Sequence, residues 1–264
     1  MEIEAIEPHN PSEKAEHAVN LLWTGGWDST FRLMQLLTKT QCIVQPHYLI
    51  ATRRPSTIRE IITIGKLRER IHVRHPEHVH RILPTHFYSI HEIPKDPEIY
   101  EKYSSLKKTI AIGTQYETLA RLAKWAKLDH LELSIQRLQS QNRISSYLAE
   151  RSKPMSGPGG LRTYALDNPR PETPESIFAT FNYPLFDFTK RDMALEAERE
   201  GFLDVLYSTW FCHDPINGKP CGLCSPCGFV AQEGLWERLP VAARLRYRFR
   251  SVFYLLPRNK ARRF

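Results

Sequence analysis

Ala18-Val19-Asn20-Leu21-Leu22-Trp23-Thr24-Gly25-Gly26-Trp27-Asp28-Ser29 runs from an apolar segment through a glycine pair to a hydroxyl. The apolar run 18–23 reads as a short buried strand, and Gly25-Gly26 stop it. From Asp28 onward Phe31, Met34 and Leu37, joined by Leu33 and Leu36, follow a helical period, so the glycines lie between a strand and a helix. A triphosphate needs converging amide donors, and glycine lets the backbone approach phosphate oxygens closely. The helix start adds free N–H groups, and Thr24 and Ser29 add hydroxyls. Asp28 repels phosphate, so its roles are to hold the loop through amides or to help bind magnesium. An ordinary tight turn before a helix is the competing reading. The stretch lacks the lysine of the G-x-x-x-x-G-K-[ST] loop and the third glycine of the dinucleotide fingerprint.

Outward from this loop the pattern repeats. Pro46 places the start of a second strand late in 42–50. A helix is expected over 58–71, with Ser56 or Thr57 to cap it, and then a connection over 72–97 with one strand near Ile82-Leu83. A helix over 116–128 and an alternating strand over 131–135 follow. Such units predict an α/β fold with an open, mainly parallel sheet flanked by helices. Prolines and glycines over 152–176 predict a lid or long surface connection. Order resumes at Tyr183-Pro184-Leu185-Phe186. Thr189 and Asp192 have capping-box spacing for a helix from Lys190 to about Glu200, which Gly201 ends. The expected division is a nucleotide-binding domain over 1–204 and a zinc-binding region with a basic tail over 205–264.

The chain has 264 residues, enough for a core without staples, and 37 basic against 29 acidic side chains give a net charge of +8. That excess favours anionic ligands. Much of it lies late, in Arg244, Arg246, Arg248, Arg250, Arg258, Lys260, Arg262 and Arg263, which read as a solvated face or as a nucleic-acid contact. No apolar run reaches the roughly 18 residues of a membrane span, so a soluble, cytoplasmic protein is expected.

Cys212, Cys221, Cys224 and Cys227 form C-x8-C-x2-C-x2-C. Zinc takes four thiolates in closed structural sites, and this spacing wraps one ion. An iron–sulfur cluster is the alternative metal. His213 reads as a neighbour and not a ligand, and Cys42 as a core residue. Two further pieces suit the nucleotide. Gly113 and Thr114 precede a helix start, where a structural turn is the competing reading. Lys190, in a first helical turn that gains nothing from a cation, invites an anion, against the competing reading that it reaches solvent beside Asp187 and Asp192.

The Thr24-Gly25-Gly26-Trp27-Asp28-Ser29 loop resembles the Ser-Gly-Gly-x-Asp-Ser signature of the PP-loop ATP pyrophosphatases, with Thr24 for the first serine. The resemblance implies an adenine nucleotide alpha hydrolase-like fold, ATP phosphates on Gly25, Gly26, Asp28 and Ser29, and magnesium. Gly113-Thr114 resembles the family's second loop, and Pro184-Leu185 with Lys190 its lysine segment. Together with Thr209-Trp210-Phe211-Cys212 and Cys221-Gly222-Leu223-Cys224-Ser225-Pro226-Cys227, these pieces resemble the 7-cyano-7-deazaguanine synthase branch, which serves queuosine biosynthesis. The middle of the chain lacks that branch's substrate stretches. Tyr48 to Arg54 stands in one of those places and, with the segment 152–176, offers a replacement in which Arg53 or Arg54 pairs a substrate carboxylate; the competing reading makes both arginines solvated residues at the approach to a helix.

The resemblance implies a ligase-like enzyme that adenylates a carboxylate or amide oxygen, releases pyrophosphate and uses ammonia. Asp28, Ser29 and Lys190 are its expected catalytic residues, and ATP, Mg2+ and Zn2+ its cofactors. An altered acidic substrate is expected, with a deazapurine acid the nearest single candidate. A tRNA-modifying relative and a nucleotide-binding protein without turnover are the alternatives. A homodimer is compatible with all three.

Overall fold

The computed structural model describes residues 18–52, 54–136 and 143–250. Five strands, β1 (Val19–Leu22), β2 (Val44–Ile50), β3 (His86–Ser89), β4 (Leu131–Glu132) and β7 (Phe181–Asn182), form one sheet in the order β3-β2-β1-β4-β7. Every pairing in it is parallel. The two remaining strands, β5 (Ser152–Ser156) and β6 (Arg162–Leu166), form a separate antiparallel hairpin. The fold is therefore α/β, as the strand and helix alternation predicts.

Strand parity builds two apolar layers, because successive side chains face opposite sides. Leu21, Trp23, Val44 and Tyr48 pack with α1 (Trp27–Lys39), α2 (Thr57–Arg74), α6 (Lys190–Arg199) and α7 (Leu203–Tyr207). Leu22, Leu49, Leu131, Leu133 and Phe181 pack on the other side with α3 (Pro97–Thr109), α4 (Gln115–Trp125) and α5 (Arg143–Glu150). Val205 and Leu206 share the first layer with Leu21 and Phe31. A chain segment from 203 to 207 thus completes the core around the loop.

A buried ion pair crosses that first layer. Glu132 lies beside Leu21 in register and is fully buried, and both its oxygens accept from Arg32 of α1, at 2.7 and 2.6 Å. Arg32 also donates to Gln35 at 2.7 Å. The bidentate pair pins α1 to the centre of the sheet.

Several boundaries differ from the sequence expectations for physical reasons. The second strand begins at Val44 and takes Pro46 in its interior. Pro46 shares parity with Val44 and Ile50, whose carbonyls accept from Leu83 and Ile90, so its missing N–H faces the stretch just before β3. The Pro84 carbonyl there accepts from the Gln45 side chain at 2.6 Å instead. The strand expected near Ile82-Leu83 is a single bridge to Val44, and β3 forms later, at 86–89. The α4 helix ends at Trp125, short of 128, where Lys127 and then His130 take positive φ.

Residues 152–176, expected as a lid or long surface connection, contain the β5–β6 hairpin, which is tied to the body of the fold. The Tyr164 carbonyl accepts from the Tyr183 amide at 2.8 Å. Gly159, at φ 61°, packs so closely on Thr40 that a Cβ would lie 2.4 Å from its methyl group. No helix among the described residues is long and apolar enough to cross a membrane.

Candidate functional site

The order β3-β2-β1-β4-β7 reverses direction between β1 and β4, because the chain adds strands first to one side of β1 and then to the other. Crossovers then diverge to opposite faces and leave a crevice at the carboxyl ends of those two strands, where ligands of such sheets bind. The Thr24–Ser29 loop leaves β1 at this crevice. Leu133 to Gln136 leave β4 beside it.

The loop is held by its own hydroxyls. Ser29 Oγ accepts from the Thr24 amide at 3.2 Å and lies 3.2 Å from Thr24 Oγ1. Gly25 has φ 69°, and a Cβ there would lie 3.3 Å from Ile64 Cγ1. This is a conformation and a clearance that glycine meets without strain. Gly26 is the N-cap of α1 in extended conformation with no side-chain cap, so the helix start keeps free amides.

Lys190 comes from a distant segment to the same place. The capping box forms: Thr189 Oγ1 accepts from the Asp192 amide at 3.1 Å, and Asp192 accepts from the Thr189 amide at 2.9 Å. The Phe188 carbonyl accepts from Gln136 at 3.1 Å, which ties this helix start to the end of β4. Lys190 Nζ forms an ion pair with Asp28 Oδ1, both side chains retaining some solvent contact. Ser134, beside Trp23 on the extended register, has a buried hydroxyl with no partner among the described residues.

Gly113 and Thr114 are placed differently. Both are exposed at the start of α4, and no hydrogen bond joins either to the 24–29 loop or to Lys190 among the described residues. Arg54 pairs with Glu60, which also accepts from Tyr48 at 2.8 Å and Ser56 at 2.7 Å, so a substrate carboxylate would have to compete with Glu60 for it. Arg53 lies outside the described residues. A cleft of about 440 Å3 lined by Glu98, Lys102, Lys124 and Asp129 contains none of these groups.

Residues from the C-terminal region complete the surroundings of the loop. The Trp210 amide donates to the Gly25 carbonyl at 3.0 Å. Arg238 lies over the rings of Trp27 and Phe211 and donates to the Thr209 carbonyl and hydroxyl at 2.8 and 2.7 Å. Burial lowers its pKa to about 10. Burial raises that of Glu233, while the Lys190 charge opposes the rise and Asp28 adds to it, which locates Glu233 in the same electrostatic field. Neither Arg238 nor Glu233 belongs to a motif. Only the return of the chain after the cysteines brings them here.

The four cysteines converge. Their sulfurs all lie within 4.8 Å of one another, with Cys224 3.5 Å from Cys227 and 3.8 Å from Cys212, and Cys221 3.9 Å from Cys227. Tetrahedral Zn–S bonds of ~2.3 Å require sulfurs about 3.8 Å apart, so the donor set fits a metal such as zinc. The Cys221 amide donates to the Cys212 sulfur at 3.2 Å, and the Leu223 and Cys224 amides to the Cys221 sulfur at 3.3 Å, bonds that favour thiolates. Gly222 is required: its φ is 76°, and a Cβ would lie 2.1 Å from the Ala243 carbonyl oxygen. Cys227 lies in α8 (Ser225–Gln232), and α9 (Val241–Arg248) covers the clamp. His213 is exposed and outside the sulfur cluster.

The C-terminal arginines divide. Arg246 donates to the Cys221 carbonyl at 2.7 Å and Arg244 to the Leu239 carbonyl at 2.7 Å, so both brace the clamp, while Arg248 and Arg250 are exposed. Arg258, Lys260, Arg262 and Arg263 lie outside the described residues. The chain matches no model of a known protein family and has no significant match among curated proteins.

Proposed function

We propose that this chain is an ATP-dependent, AMP-forming ligase-like enzyme that activates a carboxylate or amide oxygen of a small acidic substrate for attack by ammonia. One observation carries the reading: a glycine loop with free helix amides sits at the β1–β4 crevice, and Lys190 converges on its Asp28 from another element. A cation and an anion already paired beside free amides suit a ligand that brings both charges. The polyphosphate would take Lys190 and the loop amides, and Asp28 would turn to magnesium, which supplies charge neutralisation when bound.

The chemistry asks for positioning more than for a protein nucleophile. A substrate oxygen attacks the α-phosphorus, the bond to the bridging oxygen breaks, and pyrophosphate leaves with its electron pair. Ammonia then attacks the activated carbon, AMP departs, and nitrogen gives up a proton. Ser29 and the amides of 25–29 would hold the leaving pyrophosphate. Cys212, Cys221, Cys224 and Cys227 would hold zinc as a structural ion at one wall.

The absence of the stretches by which the 7-cyano-7-deazaguanine synthase branch recognises its acid supports a substrate different from 7-carboxy-7-deazaguanine, and with Arg54 paired to Glu60 other groups would hold its carboxylate. The test is a panel of carboxylates, that compound included, with Mg·ATP and ammonium, following nucleotide products and product mass. AMP and pyrophosphate formed in step with one acid are expected. ADP and phosphate, or efficient and selective conversion of 7-carboxy-7-deazaguanine, would overturn the reaction class or the altered-substrate claim, respectively.

A further inference from the structure

We propose that Arg238 is a polyphosphate-binding residue of the nucleotide site, brought to the loop by the chain that leaves the cysteine clamp. The inference rests on the phosphate-loop reading above and adds to it a residue that no motif marks. After α8 ends at Gln232, Gly234 turns the chain at φ 80°, and a short 3-10 turn over Trp236–Arg238 aims the arginine back at the sheet. Its guanidinium carbon lies 5.0 Å from the centre of the Trp27 ring and 4.8 Å from that of Phe211. Trp27 is the first residue of α1, the helix whose free amides face the crevice.

The donors of Arg238 are used unevenly. Nη2 bonds the Thr209 carbonyl and hydroxyl, both neutral acceptors. Among the described residues Nε and Nη1 donate no hydrogen bond, and no carboxylate lies within 4.0 Å of the guanidinium. Tyr207, Asp28, Glu237 and Glu233 act on it only at longer range. The two ring faces hold the guanidinium by cation–π attraction, and the half-buried side chain keeps its cation without an ionic partner, so its remaining donors are open to an anion. Lys190 already has Asp28. Arg238 therefore presents unused, preorganised N–H donors beside the first turn of α1, in the fork geometry that suits phosphate. The competing account makes it a staple that only holds Thr209 and the two rings.

Calorimetric titration of the full chain with Mg·ATP, inorganic tripolyphosphate and adenosine separates the two. Arg238→Gln should weaken ATP and tripolyphosphate about tenfold or more, the loss of one charge-assisted bond, and leave adenosine unchanged. Arg238→Lys, which keeps charge and stem but not the fork, should fall between. It carries the same test if the glutamine variant does not fold. A staple would instead lower all three ligands by one factor, and that result would overturn the proposal. So would unchanged tripolyphosphate affinity in Arg238→Gln while Ser29→Ala loses it, an outcome that keeps the phosphate-loop reading. If the wild-type chain binds neither ATP nor tripolyphosphate, both fall together.

Discussion

Ser29 is the residue on which the loop closes, because its hydroxyl is shared with the Thr24 amide and the Thr24 hydroxyl. Ser29→Ala should weaken Mg·ATP binding and loosen the turn, and Asp28→Ala should do the same while freeing Lys190. Calorimetry on the two variants checks this, and unchanged affinity in both would remove the nucleotide from the loop. A second residue gives the fold a pH dependence. His47 is buried, with Nε2 2.9 Å from Asn20 Oδ1 and Nδ1 3.1 Å from the Tyr88 hydroxyl. Burial, helped by the nearby His86, lowers its pKa from 6.5 to about 4. Below pH 6.5 the unfolded chain takes up a proton that the native chain refuses until about pH 4, so stability falls as pH falls through that window. The full loss is on the order of 3 kcal/mol. Urea melts from pH 7 to pH 4 should show it, and His47→Gln should flatten the curve.

At the scale of elements, α6 depends on its cap. Thr189→Ala removes the bond to the Asp192 amide and should cost about 1 kcal/mol, read as a shift in the urea midpoint. Because Lys190 is the next residue, the same change should loosen its approach to Asp28. This cap, the β1-loop-α1 unit and the cysteine spacing were legible in the sequence, because each is a local pattern whose chemistry depends on neighbours a few residues apart. The strand start at Val44 was not, because the Pro46 penalty is avoided by Gln45 reaching Pro84, a contact across 39 positions of chain. The α3 helix was overlooked although Asp96 caps it by accepting from the Ile99 amide at 3.0 Å, a signal the sequence does contain. The strand expected over 131–135 forms as β4, shortened to Leu131–Glu132, whereas the two-residue strand β7 exists only through its pairing with β4, and periodicity does not register an element so short. Arg238 and Glu233 were invisible for the same reason: tertiary return, not spacing, puts them beside Asp28.

The whole molecule is joined at two places that local variants would expose. The Arg32–Glu132 pair links α1 to the sheet with both side chains at most 1% exposed, so Glu132→Ala leaves a buried cation and should cost about 3–5 kcal/mol in a chemical melt. The second junction runs from the clamp to the loop through the Trp210 amide on Gly25 and Arg238 over Trp27. Metal held by the four cysteines contributes directly to folding in such sites. Chelation, or Cys224→Ser, should therefore lower metal content and melting temperature and also weaken Mg·ATP binding. Metal loss with the loop's affinity intact would show the two regions to be independent. The place where a nucleotide binds decides the proposed function. The most direct measurement is a crystal structure of the chain with magnesium and the α,β-methylene analogue of ATP, which resists cleavage between those phosphates. The β- and γ-phosphates are expected against the amides of 25–29, with Lys190 moved from Asp28 onto phosphate and Asp28 facing the metal. Phosphates bound elsewhere on the chain, or a loop still closed on the Lys190–Asp28 pair at saturating analogue, would contradict it.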